Sequence, residues 1–204
     1  MPLRPKHILL IIFVCLAFLI GITACSKQEE VPQPKQRGYF RIDLPEHSYQ
    51  QFDTSALPFT FKYSKNSEYF IDPKADTAIW LLIKYPQLNA TLEMTYRPVA
   101  HAQQLHQLMM QDKSFVELHY SKASSIANTD MQEIGVKENV SGLFTDIYGK
   151  DVACPFHYYL TDMDKHYLRG TLYFYFTPNN DSVQPVIDYI REDVITLAQS
   201  FEWK

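Results

Sequence analysis

One stretch of the chain decides the fold: residues 167–176 read YLRGTLYFYF. Its side chains alternate between two sets, and alternation with a period of two residues is typical of a β-strand. Because both sets contain bulky side chains, we expect this strand to be covered on both faces. The two sets are Leu172, Phe174 and Phe176 on one face, and Thr171, Tyr173 and Tyr175 on the other.

Further strands are predicted N-terminal to this stretch. Residues 59–63 and 91–96 alternate apolar and polar side chains, and residues 80–85 form a nearly continuous apolar run that indicates an interior strand. Short turn-forming connections at residues 86–89 and 149–151 predict two antiparallel hairpins. The other predicted strands are residues 69–71, 125–134, 142–148 and 153–160.

Two amphipathic helices are predicted. Residues 101–118 carry a mostly apolar stripe, at a spacing of three or four residues, that includes Asp112. The second helix follows the strand at residues 167–176, and Asp181 or Ser182 is its expected N-cap. Its apolar stripe consists of Val183, Val186, Ile187, Ile190, Val194, Leu197, Ala198 and Phe201.

The order of these elements is strands, helix, strands, helix, with meander-like connections. This order predicts an α+β fold in which one mostly antiparallel sheet packs with two main helices. A similar order occurs in the Mog1/PsbP-like fold, which we take as the expected topology.

The composition excludes several classes of protein. The chain has 204 residues, of which 46% are hydrophobic and 14% aromatic, so it can bury a core and is not intrinsically disordered. Its formal net charge of −4 argues against nucleic acid as a partner, because nucleic-acid binders carry a basic excess.

The N-terminus has the pattern of an export signal. Arg4 and Lys6 precede an apolar run at residues 8–22, which is the length expected of a signal peptide. The run closes on residues 22–25, Ile-Thr-Ala-Cys, which resemble the lipobox of bacterial lipoproteins. The resemblance implies cleavage before Cys25 and lipidation of its thiol. The alternative is an ordinary signal peptide that happens to be followed by a cysteine.

This reading divides the chain into three parts. Residues 1–24 are the predicted lipoprotein signal peptide, residues 25–37 the lipidated N-terminus and a flexible tether, and residues 38–204 one globular α+β domain. Cleavage removes two basic residues, so 17 basic and 23 acidic residues remain and the net charge becomes −6. With Cys25 lipidated, Cys154 is the only free thiol, and we expect it to be buried and structural.

The search for catalytic, metal or cofactor motifs is negative. The chain contains no glycine-rich phosphate loop, no GxSxG nucleophile elbow and no HExxH zinc motif. Cys154 and His157 lack the further ligands that zinc needs. Asp162 and Asp164 are better explained as turn-forming residues than as calcium ligands. We therefore predict no catalytic residue, no metal site and no cofactor.

Two residues near the start of the strand at residues 167–176 remain as candidates for binding a partner. His166 and Arg169 belong to a basic, aromatic-rich segment at the mouth of that strand. An arginine inside an otherwise apolar strand requires a carboxylate partner if it is buried. Two interpretations, a structural role and a partner-binding role, stay open for this segment.

Several short phrases of the sequence stand out together. Residues 38–45 read GYFRIDLP directly after the tether, and residues 166–174 read HYLRGTLYF. Further phrases of the same set occur at residues 161–162, 178–179, 181–187 and 200–204. These phrases resemble the gliding motility lipoprotein GldD family of Bacteroidetes, and the similarity spans nearly the whole mature chain.

The resemblance implies a non-enzymatic cell-envelope lipoprotein that is required for gliding motility and linked to type IX secretion. The lipid anchor implies a membrane partner, and we expect the outer membrane, with the domain facing the periplasm. Other gliding motility and type IX secretion proteins are the implied protein partners. The alternatives are a lipoprotein that binds a small ligand and, less favoured, a hydrolase whose residues lie far apart in the sequence.

Overall fold

Ten strands and three α-helices make up the part of the chain that the structure, a computed structural model, describes: residues 38–72, 78–177 and 179–204. The strands are β1 (Tyr49–Asp53), β2 (Phe59–Ser64), β3 (Glu68–Asp72), β4 (Ile79–Tyr85), β5 (Ala90–Pro98), β6 (Ser125–Asp130), β7 (Ser141–Tyr148), β8 (Phe156–Thr161), β9 (His166–Phe174) and β10 (Glu202–Trp203). The helices are α1 (Ala102–Glu117), α2 (Met131–Ile134) and α3 (Asn180–Ser200), and a 3₁₀ turn lies at Pro86–Leu88. The predicted signal peptide, Cys25 and the tether lie outside the described residues.

Strand β9 is the central strand of the larger sheet. The seven strands follow the order β3-β4-β5-β9-β8-β7-β6, and every neighbouring pair is antiparallel. Both expected hairpins are present, since β4 pairs with β5 and β7 with β8. The α+β prediction with a mostly antiparallel sheet is therefore confirmed.

A second, three-stranded sheet was not expected from the sequence. It has the order β1-β2-β10, also antiparallel. The two residues of β10 are too few to give a periodic signal, and β1 carries the polar sequence YQQFD with only Phe52 fully buried. The protein thus has two sheets where we expected one.

The main core lies on one face of the large sheet, which we call the inner face. Leu92, Met94, Leu168 and Leu172 from the central strands are fully buried there. Strand β2 and helix α3 supply the side chains that pack against them, Phe59, Phe61, Ile190, Val194 and Leu197, together with Phe201. All residues of the predicted α3 stripe except Val183, which is partly buried, are buried in this core, so that helix buries the face that its sequence predicts.

Helix α1 covers part of the opposite, outer face. Leu105 and Leu108 of α1 form a separate buried cluster with Tyr167 of β9. Strand β9 is therefore covered on both faces, as its two bulky sets of side chains predict. The strand ends at Phe174, and the residues after it are not covered in the same way. The side chains of Tyr175 and Phe176 are 68% and 38% exposed.

Two predicted boundaries are wrong. The run at residues 125–134 is not one strand, because β6 ends at Asp130 and the short helix α2 follows. The Asp130 carboxylate accepts a hydrogen bond from the Gln132 N–H (2.8 Å) as an N-cap, and Gly135 closes the helix at φ 90°. Strand β8 begins at Phe156 and not at residue 153.

The start of α3 also differs from the prediction. The helix begins at Asn180 with Asn179 as its N-cap, not with Asp181 or Ser182. The Asn180 side chain is buried and donates hydrogen bonds to the carbonyls of Gly149 and Val152, both at 2.8 Å. These bonds to the loop after β7 place the first turn of α3 earlier than its capping sequence indicates.

Replacement of Gly170 in β9 tests the packing of the central strand. A methyl group at this position would overlap the buried ring of Tyr158. We expect Gly170→Ala to lower the free energy of unfolding in urea by about 1–3 kcal/mol, the usual cost of overpacking a core. Gly38→Ala is the control, because open space surrounds Gly38 and its replacement should leave the unfolding midpoint unchanged. Equal stability of both variants would contradict the packing described for β9.

Candidate functional site

A buried carboxylate lies at the contact between α1 and the outer face of the large sheet. Asp112 of α1 is 3% exposed. It accepts a hydrogen bond from the Tyr167 hydroxyl, and its Oδ1 lies 3.2 Å from Nη1 of Arg169. The Nε2 atom of His157 is 3.4 Å from Asp112 Oδ2. We call Asp112, His157, Tyr167, Arg169 and Thr171 the Asp112 cluster.

The secondary structure brings these residues together from three elements. Asp112 follows Leu108 by four residues on the buried stripe of α1, so it faces the sheet. Tyr167, Arg169 and Thr171 alternate along β9 and therefore share its outer face. His157 of β8 lies directly opposite Thr171 in the register of the two strands.

The surroundings of Asp112 favour its ionised form. Burial alone would raise the pKa of this carboxyl group, but the neighbouring His157, the Tyr167 hydroxyl and Arg169 lower it by more, so its pKa lies below the ordinary value. Burial and the nearby Asp112 charge raise the pKa of Tyr167 far above its ordinary value. The Tyr167 hydroxyl therefore stays protonated and donates a hydrogen bond to the carboxylate.

A cleft of about 300 Å³ adjoins the cluster, between α1 and the outer face of β6, β7 and β8. Its lining combines apolar and polar side chains. Asp112 and His157 are part of that lining. The other lining residues are Met109, Met110, Lys113, Val116, Tyr120, Ile126, Asn128, Leu143, Thr145 and Tyr159.

The cluster contains an acid, a histidine and a hydroxyl in the order that a hydrolase would need. The Nδ1 atom of His157 is 2.8 Å from Thr171 Oγ1, and its Nε2 faces Asp112. Thr171, however, is 6% exposed and does not line the cleft. A substrate in the cleft would therefore meet His157 and Asp112 but not the hydroxyl oxygen that has to attack it.

A metal site is not found in the part of the chain that the structure describes. No group of three or more histidine, cysteine, aspartate and glutamate side chains lies close enough together to hold an ion there. Asp162 instead forms a turn, since its Oδ1 accepts hydrogen bonds from the backbone N–H groups of residues 164, 165 and 166 at 2.9–3.0 Å. Asp164 is exposed in the same turn.

Comparison with known families shows to which family the chain belongs. The family described as gliding motility lipoprotein GldD matches it over residues 29–203. The chain belongs to the GldD family. The resemblance drawn from the sequence phrases is thereby confirmed, and membership implies a lipoprotein of the cell envelope with a part in gliding motility.

Two further comparisons complete the picture of this GldD-family chain. The solution structure of cyanobacterial PsbP (CyanoP) from Synechocystis sp. PCC 6803 is similar, with 10% identity, a TM-score of 0.43 and coverage of 81% of this chain and 98% of that chain. A likeness at this TM-score carries no argument about this chain. No curated protein matches the chain.

The structure does not bring the two predicted partner-binding residues of this GldD-family chain into one site. Arg169 extends from the outer face of β9, where Asp112 provides the carboxylate partner that its place in the strand requires. His166 is three residues earlier and lies on the other face, with its ring stacked on Trp203 at 5.0 Å and its Nδ1 2.8 Å from the Tyr96 hydroxyl. Partner binding by either residue stays a prediction.

Cys154 is completely buried, as expected for a structural thiol. Its Sγ atom donates to the Phe156 carbonyl at 3.1 Å, and burial raises the pKa of the thiol far above its ordinary value. The thiolate, which is the reactive form, is therefore not populated at neutral pH.

Sequence reasoning did not identify the role of the buried aspartates of the GldD-family domain, Asp112, Asp146 and Asp193. Asp193 of α3 accepts from the Tyr85 hydroxyl (3.1 Å) and lies 2.8 Å from Nδ1 of His47, and Asp146 accepts two hydrogen bonds from Arg191 at 2.8 Å. The second nitrogen of His47 is 2.9 Å from Glu192. The available signal was an aspartate within or beside the apolar stripe of a helix, because a buried carboxylate requires a partner elsewhere in the chain.

Replacement of Asp112 tests whether its charge stabilises the domain. We expect Asp112→Asn to lower the free energy of unfolding at pH 7 by about 2–3 kcal/mol, less than for a fully buried pair because Arg169 is partly exposed. The lowered pKa of Asp112 means that its contribution is present above the ordinary aspartate pKa of about 4 and is lost as the pH falls through the lower folded-state value.

Urea unfolding between pH 7 and pH 2 measures both effects. The wild-type protein should lose stability at acidic pH more steeply than Asp112→Asn. Asp164→Asn, at an exposed position of the same domain, is the control and should change stability by less than about 0.5 kcal/mol. An Asp112→Asn variant as stable as the control would show that the buried charge does not stabilise the fold.

Proposed function

We propose that this protein is anchored by a lipid on Cys25 in the outer membrane, with its domain facing the periplasm, and that it supports the gliding and type IX secretion machinery through protein contacts without catalysis. The single observation that carries the proposal is the GldD family match, which spans residues 29–203. Three residues separate the lipobox-like residues 22–25 from the start of that match.

The lipid anchor supports a role in an assembly at the membrane. A single acyl chain gives only marginal binding to a bilayer, whereas two chains hold a protein stably. Diacylation of Cys25 would therefore keep the domain close to membrane-bound partners and raise its effective concentration there. In the described residues, no helix is both long and apolar enough to cross a bilayer.

A structural role explains the Asp112 cluster better than catalysis of hydrolysis does. The carboxylate of Asp112 is engaged by Tyr167 and Arg169, which fix α1 to the sheet. The hydroxyl oxygen of Thr171 is shielded from the cleft. These residues therefore hold the helix against the sheet. We consider a hydrolase a less favoured function for this protein than binding a partner.

One observation favours the second candidate, a lipoprotein that binds a small ligand. The cleft beside the Asp112 cluster has the size and the mixture of apolar walls and a few polar groups that are typical of ligand sites.

Replacement of Cys25 tests the anchor. We expect a strain that carries Cys25→Ala to fail to incorporate a labelled fatty acid into this protein and to lose colony spreading, as a deletion strain should, because the domain is no longer held in the outer membrane by a lipid. Protein secretion through the type IX system is measured in the same strains.

Cys15→Ala is the matched control, because Cys15 lies in the predicted signal peptide and is removed on processing. That strain should label and spread like the wild type. A Cys25→Ala strain that lacks the lipid but spreads and secretes normally would contradict the proposed function.

A further inference from the structure

Strand β6 is one of the two edges of the seven-stranded sheet. Exposed sheet edges are usually protected by charged side chains, proline or bulges, because their free backbone groups can pair with another chain. Strand β6, Ser-Ile-Ala-Asn-Thr-Asp, includes no proline and a single charged residue, Asp130 at its end. The opposite edge, β3, has the acidic residues Glu68 and Asp72 at its two ends. β6 is therefore the less protected edge.

The hydrogen bonds of β7 show which backbone groups of β6 are free. The Ile147 N–H donates to the Pro155 carbonyl beside β8 (2.8 Å), and the Tyr148 carbonyl accepts from the Ser124 N–H on the opposite side (2.7 Å). Backbone groups alternate sides along a strand, so residues 144, 146 and 148 face β6. The backbone N–H and C=O groups of their register partners, residues 125, 127 and 129, therefore point toward β7. The N–H and C=O groups of Ile126 and Asn128 consequently point away from the sheet.

The cleft beside the Asp112 cluster opens along this same edge. Ile126 and Asn128 of β6 form its outermost wall, and the lining continues inward through β7 and β8. Met109 and Met110 of α1 lie on its other side. A strand added next to β6 would point every second side chain to the outer face of the sheet, and such a side chain would lie at the opening of the cleft.

The charges at the cleft indicate the chemistry of the occupant. Asp112 is engaged by Tyr167 and Arg169, so its charge is already balanced. Lys113 also lines the cleft and is exposed, and among the described residues it forms no ion pair. The flexible thioethers of Met109 and Met110 adapt to different apolar side chains. A segment with an apolar residue and a nearby carboxylate is complementary to this surface.

We propose that β6 accepts an extended segment of a partner protein as an additional strand, with an apolar side chain in the cleft and a carboxylate beside Lys113. Main-chain hydrogen bonds to Ile126 and Asn128 supply affinity in this mode of recognition, and the cleft supplies specificity. The inference rests on the proposed function, because it names the kind of partner that a protein acting through contacts would bind.

The test uses linear peptides of strand length, selected from a random display library against the full-length protein in detergent micelles. The peptide with the highest affinity is synthesised, and its Kd is measured by fluorescence anisotropy. We expect selected peptides to share an apolar residue followed closely by an acidic one. Hydrogen exchange should then show new protection of the Asn128 amide on binding, while the Ala127 amide, which already faces β7, is protected with and without peptide.

Two variants at one position isolate the backbone contribution. Asn128→Pro removes the outward N–H, and Asn128→Ala removes the same side chain but keeps that N–H. We expect Asn128→Pro to raise the Kd by about tenfold or more relative to Asn128→Ala, as expected for the loss of a main-chain hydrogen bond at a binding edge. Equal Kd values for the two variants would overturn the proposal.

A second pair keeps the test valid if Asn128→Pro fails to fold. Met110→Trp narrows the cleft from α1, and Leu118→Trp places the same side chain just after α1, outside the cleft lining. Peptide binding should be weakened by Met110→Trp alone. Failure to select any peptide, pairing of β6 with a second copy of this chain, or a small molecule that co-purifies in the cleft and blocks peptide binding would each overturn the proposal.

The two proposals fail separately. If peptides do not bind at β6 while the Cys25→Ala strain loses spreading, only the edge inference is overturned. If peptides bind at β6 but the Cys25→Ala strain spreads normally, only the role in gliding is contradicted.

Discussion

The outer half of this structure depends on one constraint: a carboxylate taken out of water must be paired. Asp112 satisfies this constraint through Tyr167 and Arg169, so these three side chains hold α1 and β9 in one arrangement. Apolar contacts add to the same interface, since Leu105 and Leu108 pack with Tyr167 and the Phe115 ring lies 5.1 Å from that of His157. The paired charge adds a directional constraint to this packing, because a shift of α1 would leave a buried carboxylate without its partners.

The position of α1 in turn shapes the cleft and its relation to the sheet edge. The helix covers the outer face over β8 and β9 and leaves β6 and β7 partly open. A hydrogen-bonding edge and a cleft lined by apolar and polar side chains then lie side by side, on a chain that the GldD family places in the cell envelope. The inner face is filled by large aromatic and aliphatic residues of β2 and α3, and its own buried carboxylate, Asp193, is paired with the Tyr85 hydroxyl and His47.

Local patterns in the sequence predicted most of the fold but little of the site. The alternation at residues 167–176 predicted a strand covered on both faces, and β9 is the central strand. The position of Arg169 predicted a carboxylate partner. Asp112 lies 57 residues earlier, and the local sequence around either residue does not identify the other as its partner. Helix α2 was missed because its four residues are too short for a period, although Asp130 and Gly135 carry its caps.

Hydrogen exchange in the Asp112→Asn variant tests the central claim most directly. The account predicts that amides of α1 (Ala102–Glu117) exchange much faster than in the wild type, because the helix loses its fixed attachment and opens locally. Amides of α3 (Asn180–Ser200), which packs on the inner face, should exchange at the wild-type rate. Unchanged exchange in α1, or equal acceleration of both helices, would contradict the claim that the buried charge holds α1 in place.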